Sequence, residues 1–359
     1  MALTAGMGAT LLGGLDTRAL RDRYSTTENR PVGVIGYAAM LEQFAPAEVV
    51  EITRVAEANG FDGVMAADHF QPWVPQQGQA SFVWNVLAAL GQTTAGDLGT
   101  VTTPTYRMHP AVVAQASATL AALYPGRHWL GLGSGEALNE HVVGQYWPDA
   151  PERIDRMFEA IDIIRKLFAS GVTGKDVRHE GRYYRLESTR LWTAPATPPP
   201  ILVAASGPVT AKRAGRVADG IITETAPREK LENLYQRFDD GAKEAGRKGG
   251  ERVLRVHVSW APTHEEATRN ALEQWPNLGL RFPKADIRSP YEIEQMARMV
   301  RPEHFEGRLF ISADPDAHRE HLQGFLDLGV DRLYLHNVGR NQREFLDVFG
   351  RDVLPGLNP

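Results

Sequence analysis

From Pro31 onward, short apolar runs alternate with amphipathic stretches. The run Val32-Gly33-Val34-Ile35-Gly36-Tyr37 predicts a buried strand, and residues 45–59 a helix that Gly60 stops. A strand over 63–67, a helix near 82–95, a strand running into Thr102-Thr103-Pro104, a helix over 110–123 and a strand over 128–133 follow. In 152–168 the residues Ile154, Met157, Phe158, Ile161, Ile164 and Phe168 recur at three and four positions, one face of a 3.6-residue period. The rhythm then breaks: 176–193 reads as an inserted hairpin. Past Pro198-Pro199-Pro200 the alternation resumes with a strand over 201–205, a helix over 208–217, a strand over 220–223 and a helix near 228–246. A strand over 253–260, helices near 264–275 and 290–300, a last strand over 332–336 and a closing helix over 341–352 complete the chain.

About eight strand–helix units in 359 residues, with no shift of composition between halves, predict a (β/α)8 TIM barrel with insertions. A doubly wound open sheet is the alternative. The expected organisation is an N-terminal extension over 1–30, partly disordered, and a single catalytic domain over 31–359. The chain has no cysteine, which removes disulfides, thiolate metal sites and cysteine nucleophiles. Its 39 Lys+Arg against 44 Asp+Glu give a net charge of −5, which argues against a nucleic-acid surface. No run is long enough to span a bilayer, and the first residues lack the basic start of a secretion signal, so the expected location is cytoplasmic.

In a barrel, chemistry belongs to the loops at strand C-termini. After the second strand comes Asp68-His69-Phe70-Gln71-Pro72-Trp73, an acid, an imidazole and an indole within six residues. The imidazole can move a proton near neutral pH; a turn cap beside a structural histidine is the plainer alternative. After the fourth comes Gly133-Ser134-Gly135-Glu136-Ala137-Leu138-Asn139-Glu140, where glycines permit close backbone approach and Glu136 is a candidate acid or base. The same letters also suit an ordinary strand–helix turn. After the fifth, Ala204-Ala205-Ser206-Gly207-Pro208 opens a helix with small residues, like a phosphate cradle. Neither the dinucleotide fingerprint nor a Walker lysine is present.

Together with Glu42-Gln43-Phe44-Ala45-Pro46 and Thr103-Pro104-Thr105-Tyr106-Arg107, these motifs resemble the deazaflavin (coenzyme F420)-dependent glucose-6-phosphate dehydrogenases of the luciferase-like barrel superfamily, in one order from about Val32 to Leu354. The resemblance implies a hydride transfer from C1 of a hexose 6-phosphate to coenzyme F420, giving the lactone. It implies that Asp68, Thr103, Ser134, Gly135, Asn139, Ser206, Gly207, Val209 and Thr210 line the coenzyme. His69 and Glu136 would exchange protons, in roles that the letters leave open, with Trp73 and Glu42 around them. Lys284 and Arg308 match two of the family's three phosphate-binding cations; the third, a lysine, falls at Pro227, with Arg228 one step away. The stretch before Thr103-Pro104 is one residue shorter than the family's. A homodimer is implied in the same way. The alternative is an F420-dependent dehydrogenase of a non-phosphorylated alcohol, for which those cations would be surface charges.

Overall fold

The computed structural model describes residues 33–359; the extension assigned to 1–30 lies outside them. The parallel strands β1 (Val34–Ala38), β2 (Gly63–Ala67), β3 (Asp97–Thr102) and β4 (His128–Leu132) come first. A small antiparallel pair, β5 (Val177–Glu180) and β6 (Arg185–Thr189), interrupts them where the hairpin is predicted. Then come β7 (Ile201–Ala204), β8 (Gly220–Glu224), β9 (Glu251–Trp260), the short β10 (Phe310–Ser312) and β11 (Arg332–Asn337). β8 pairs with β9, β9 with β11, and β11 with β1, so the sheet closes on itself and the open-sheet alternative fails. β10 is an addition, paired with the end of β9.

The helices are α1 (Pro46–Ala58), α2 (Val83–Thr93), α3 (Pro110–Leu123), the single turn α4 (Ala137–Glu140), α5 (Ala150–Thr173), α6 (Pro208–Val217), α7 (Arg228–Glu244), α8 (His264–Gln274), α9 (Pro290–Ala297), α10 (Pro315–Leu326) and α11 (Gln342–Val348). Proline opens α1, α3, α6, α9 and α10, where its fixed φ suits the first helical position and its missing N–H leaves nothing unpaired. In α5, Met157, Ile161, Ile164 and Phe168 of the predicted face are buried in the core between barrel and helices. Three elements differ from expectation. α10 and β10 were not predicted, although Asp314 caps α10 through Asp316 N at 2.9 Å and His318, Leu322, Phe325 and Leu326 form its buried face. The closing helix is regular only to Val348 and widens into a π-helical turn over Phe349–Val353.

Inside the barrel the lower half is plugged. Arg332 pairs with Asp97 and with Glu251, and all three are buried. Tyr334 donates to Asp97 Oδ2 at 3.0 Å and accepts from Trp129 Nε1 at 2.9 Å. Two strand glycines make room for these rings: a Cβ on Gly36 would sit 2.4 Å from the Tyr334 ring, and one on Gly99 2.0 Å from the Trp129 indole. With the lower half filled, a ligand can enter only from the strand C-termini. Arg332→Met strips the shared cation from two buried carboxylates. It should cost about 3–5 kcal/mol of folding stability, read as a lower denaturant midpoint with unchanged slope.

Candidate active site

The loops after β1 and β2 bring Glu42, His69 and Trp73 together. Glu42 is buried, and its Oε1 lies 3.4 Å from His69 Nδ1, near enough to stabilise a charge on the imidazole. The His69 and Trp73 rings pack with centroids 5.3 Å apart. The backbone of Trp73 is fixed by Gln77 Oε1, which accepts from its N–H at 2.8 Å.

Next along the rim, Asp68 Oδ2 accepts from Thr102 Oγ1 at 2.8 Å and from Arg107 Nη2 at 2.9 Å, whereas its Oδ1 is buried without a hydrogen-bond partner. Asn139 uses Oδ1 to hold the Asp68 loop, accepting from Phe70 N at 2.9 Å and Gln71 N at 3.2 Å. Gly135 has φ +83° and lies against Thr103, whose Cγ2 would be 2.8 Å from a Cβ at that position. So glycine is required there twice over, by conformation and by space. β7 lies beside β4, which puts Ser206 and Gly207 next along the rim from Ser134 and Gly135. Gly207 precedes α6 and no side chain caps that helix, leaving its first N–H groups open beside Val209 and Thr210.

The far side of the mouth carries charge. Ala137 donates its N–H to Ala285 O at 2.7 Å, which lays the segment holding Lys284 over the start of α4. Burial holds the Glu136 carboxyl above its usual value; His69, Lys284 and Arg255 oppose that and Glu224 adds to it. Burial lowers Lys284, and neighbouring Arg308 lowers it further, while Glu136 and Glu224 pull the other way. Lys284 and Arg308 therefore share one electrostatic neighbourhood. Arg308 is itself anchored by donating to Leu280 O at 2.7 Å. Arg228 stands at the first position of α7, exposed and paired with Glu232 at 2.9 Å. It and Arg308 both line a cavity of about 360 Å³ between the loop after β8 and α10.

Residues that sequence reasoning passed over complete the mouth. Glu224 at the end of β8 pairs with Arg255 of β9, which holds its carboxyl down at about 2. His257 and His336 meet at 2.8 Å between Nδ1 atoms. Burial lowers both, His257 to about 3, so the pair is neutral. Glu224, Arg255, His257 and His336 belong to alternate positions of their strands, the parity that faces the barrel interior, and that period-2 signal could have found them. Arg107 and Glu140 lay inside the quoted motifs, but nothing in their spacing shows that they touch.

A closed parallel barrel with acids, an imidazole and cations at its strand C-termini is a catalytic (β/α)8 barrel. The luciferase-like monooxygenase family pattern matches residues 25–332, so the chain belongs to the luciferase-like family. Within it the chain shares a family with the F420-dependent glucose-6-phosphate dehydrogenases of Microbacterium testaceum and Nakamurella multipartita. Each is 40% identical over 329 residues, 90% of this chain and 96% of theirs. Among solved structures, an F420-dependent secondary alcohol dehydrogenase in complex with an F420-acetone adduct superposes with a TM-score of 0.86 at 31% identity, covering 91% of this chain and 99% of that one. No helix among the described residues is long and apolar enough to cross a membrane.

The raised Glu136 carboxyl makes a stability prediction. The folded state binds its proton more tightly than the unfolded chain, so from the usual carboxylate range up through the raised value stability falls as pH rises. Glu136→Gln removes that cost. Its melting temperature should exceed wild type at neutral pH, and the gap should close below about pH 4.

Proposed function

We propose that this protein oxidises the anomeric hydroxyl of a hexose 6-phosphate, glucose 6-phosphate or a close relative, to the lactone, with coenzyme F420 as hydride acceptor. The observation that carries the reading is the pairing of Lys284 with Arg308 in the same mouth as Glu136 and His69. Relatives at 40% identity are named for this activity. The residues present suit a deazaflavin. Asp68 offers a buried acceptor oxygen without a donor, Gly135 and Thr103 a close backbone approach, and the uncapped start of α6 open N–H groups for an anionic group.

When bound, the coenzyme supplies at C5 the acceptor for the hydride leaving sugar C1. His69 takes the hydroxyl proton at a ring nitrogen, and the Glu42 carboxylate 3.4 Å from Nδ1 stabilises the imidazolium that results. Glu136, whose carboxyl burial raises, is placed to give a proton at the coenzyme's ring nitrogen. This division makes His69 the base and Glu136 the acid. Trp73 packs on His69 and walls the reacting centre from water. The cations Lys284, Arg308 and Arg255 outnumber the acids Glu224 and Glu136, a balance that favours a phosphate dianion. Binding the phosphate away from C1 orients the sugar for transfer. Assembly as a homodimer belongs to the same reading.

One observation favours the second reading, a non-phosphorylated alcohol. The Glu224 carboxylate faces Lys284 and offsets part of its charge. Bleaching of oxidised F420, followed with glucose, mannose and fructose 6-phosphates, glucose and isopropanol, separates the two. Phosphorylated sugars alone should react, and reaction of the unphosphorylated alcohols alone would overturn the reading. Lys284→Ala should raise KM for the sugar phosphate about tenfold or more while kcat changes little. Glu136→Gln should lower kcat about 10²- to 10⁴-fold. In the wild type, kcat should decline as pH rises through the raised Glu136 value.

A further inference from the structure

Three loops of the mouth meet at one guanidinium. Arg107, after β3, gives Nη2 to Asp68 Oδ2 at 2.9 Å and Nε to Glu140 Oε1 at 3.1 Å, and its backbone N–H reaches Glu140 Oε2 at 3.0 Å. Asp68 belongs to the loop after β2 that carries His69. Glu140 ends α4, whose N-cap is Glu136. The three side chains are almost sealed from solvent, at 9%, 0% and 1% exposure for Arg107, Asp68 and Glu140. One cation therefore serves two buried carboxyl groups. Thr102 makes the only other hydrogen bond to Asp68 Oδ2 among the described residues, and Asp68 Oδ1 has no donor.

We propose that Arg107 is a positioning residue for the coenzyme: its guanidinium bridges Asp68 and Glu140, so that Asp68 Oδ1 stands as a fixed acceptor for an N–H of the deazaflavin ring. The proposal rests on the coenzyme reading above. A buried carboxylate oxygen without a donor costs stability, and a ligand N–H repays it. Without Arg107 the two buried carboxyl groups lose their common cation, and a proton shared between them takes its place. Burial already raises the Glu140 carboxyl, with Arg107 opposing and Asp68 adding to it. The other charged or titratable groups around the cluster are Tyr106 beside Glu140, with Arg153, Arg156 and Glu152 of α5 behind it, and His69 and Glu136 in the adjoining loops. A substitution at Arg107 leaves all of these in place.

The test is binding of oxidised F420, read by its fluorescence between pH 6 and 8.5 and expressed as the ratio of variant to wild-type Kd, which cancels titration of the coenzyme itself. For Arg107→Met the ratio should worsen about tenfold or more as pH falls across that range, because the shared proton must leave before Asp68 can accept. Arg107→Lys, which keeps the charge, should bind more weakly than wild type with a ratio independent of pH. Arg107→Met combined with Glu140→Gln, which leaves one carboxylate and no competing charge, should bind better than Arg107→Met alone and lose its pH dependence. The double variant also answers if Arg107→Met alone fails to fold, since a double variant that folds but does not bind overturns the proposal. A loss equal at every pH, or a double variant no better than the single one, also overturns it and leaves the coenzyme reading standing. Wild-type protein that does not bind F420 overturns both.

Discussion

The buried triad of Arg332, Asp97 and Glu251 decides which end of this barrel does chemistry. With Tyr334 and Trp129 hydrogen-bonded above it, it fills the lower interior with ion-paired side chains and two large rings. Gly36 and Gly99 carry no side chains because the rings occupy that space. A plugged floor turns eight strands into a cup, and every functional group then has to come from the loops above it. The polar residues that do so are held as firmly as the floor is.

That firmness is electrostatic on both sides of the mouth, with opposite balances. On the Asp68 side, one arginine is shared by two acids. On the Lys284 side, cations outnumber acids. A ring bearing N–H donors suits the first, and a phosphate suits the second. His69, Glu42 and Glu136 stand between them, where on the proposed reading the hydroxyl loses its proton and the carbon bearing it loses hydride. Burial raises the Glu136 carboxyl and lowers both imidazoles of the His257–His336 pair.

Much of the barrel was legible because its punctuation is covalent. Proline at the first turn of α1, α3, α6, α9 and α10 and glycine after α1 mark boundaries whatever the tertiary packing. The strand ends carrying Asp68-His69 and Gly135-Glu136 followed from the alternation of elements, and quoted motifs gave the family. α10 was missed because β10 ahead of it spans only three residues, too short for a periodic signal. The Arg107 cluster was not legible, since Asp68, Arg107 and Glu140 come from three separate loops and meet only through barrel closure. Glu224, Arg255, His257 and His336 sat in runs read as strands, and their direction into the mouth depends on strand parity. Arg228 shows the reverse limit: adjacency to Pro227 in sequence says nothing of its ion pair with Glu232 on the surface of α7.

In the proposed reaction, hydride leaves the anomeric carbon of a sugar phosphate for the coenzyme. Glucose 6-phosphate deuterated at C1 tests it most directly, with the reduced coenzyme analysed for the label after a single turnover. One deuterium in the reduced coenzyme and a slower bleaching transient than with the protiated sugar are expected. Reduced coenzyme without deuterium, or label retained in the sugar product, would contradict it.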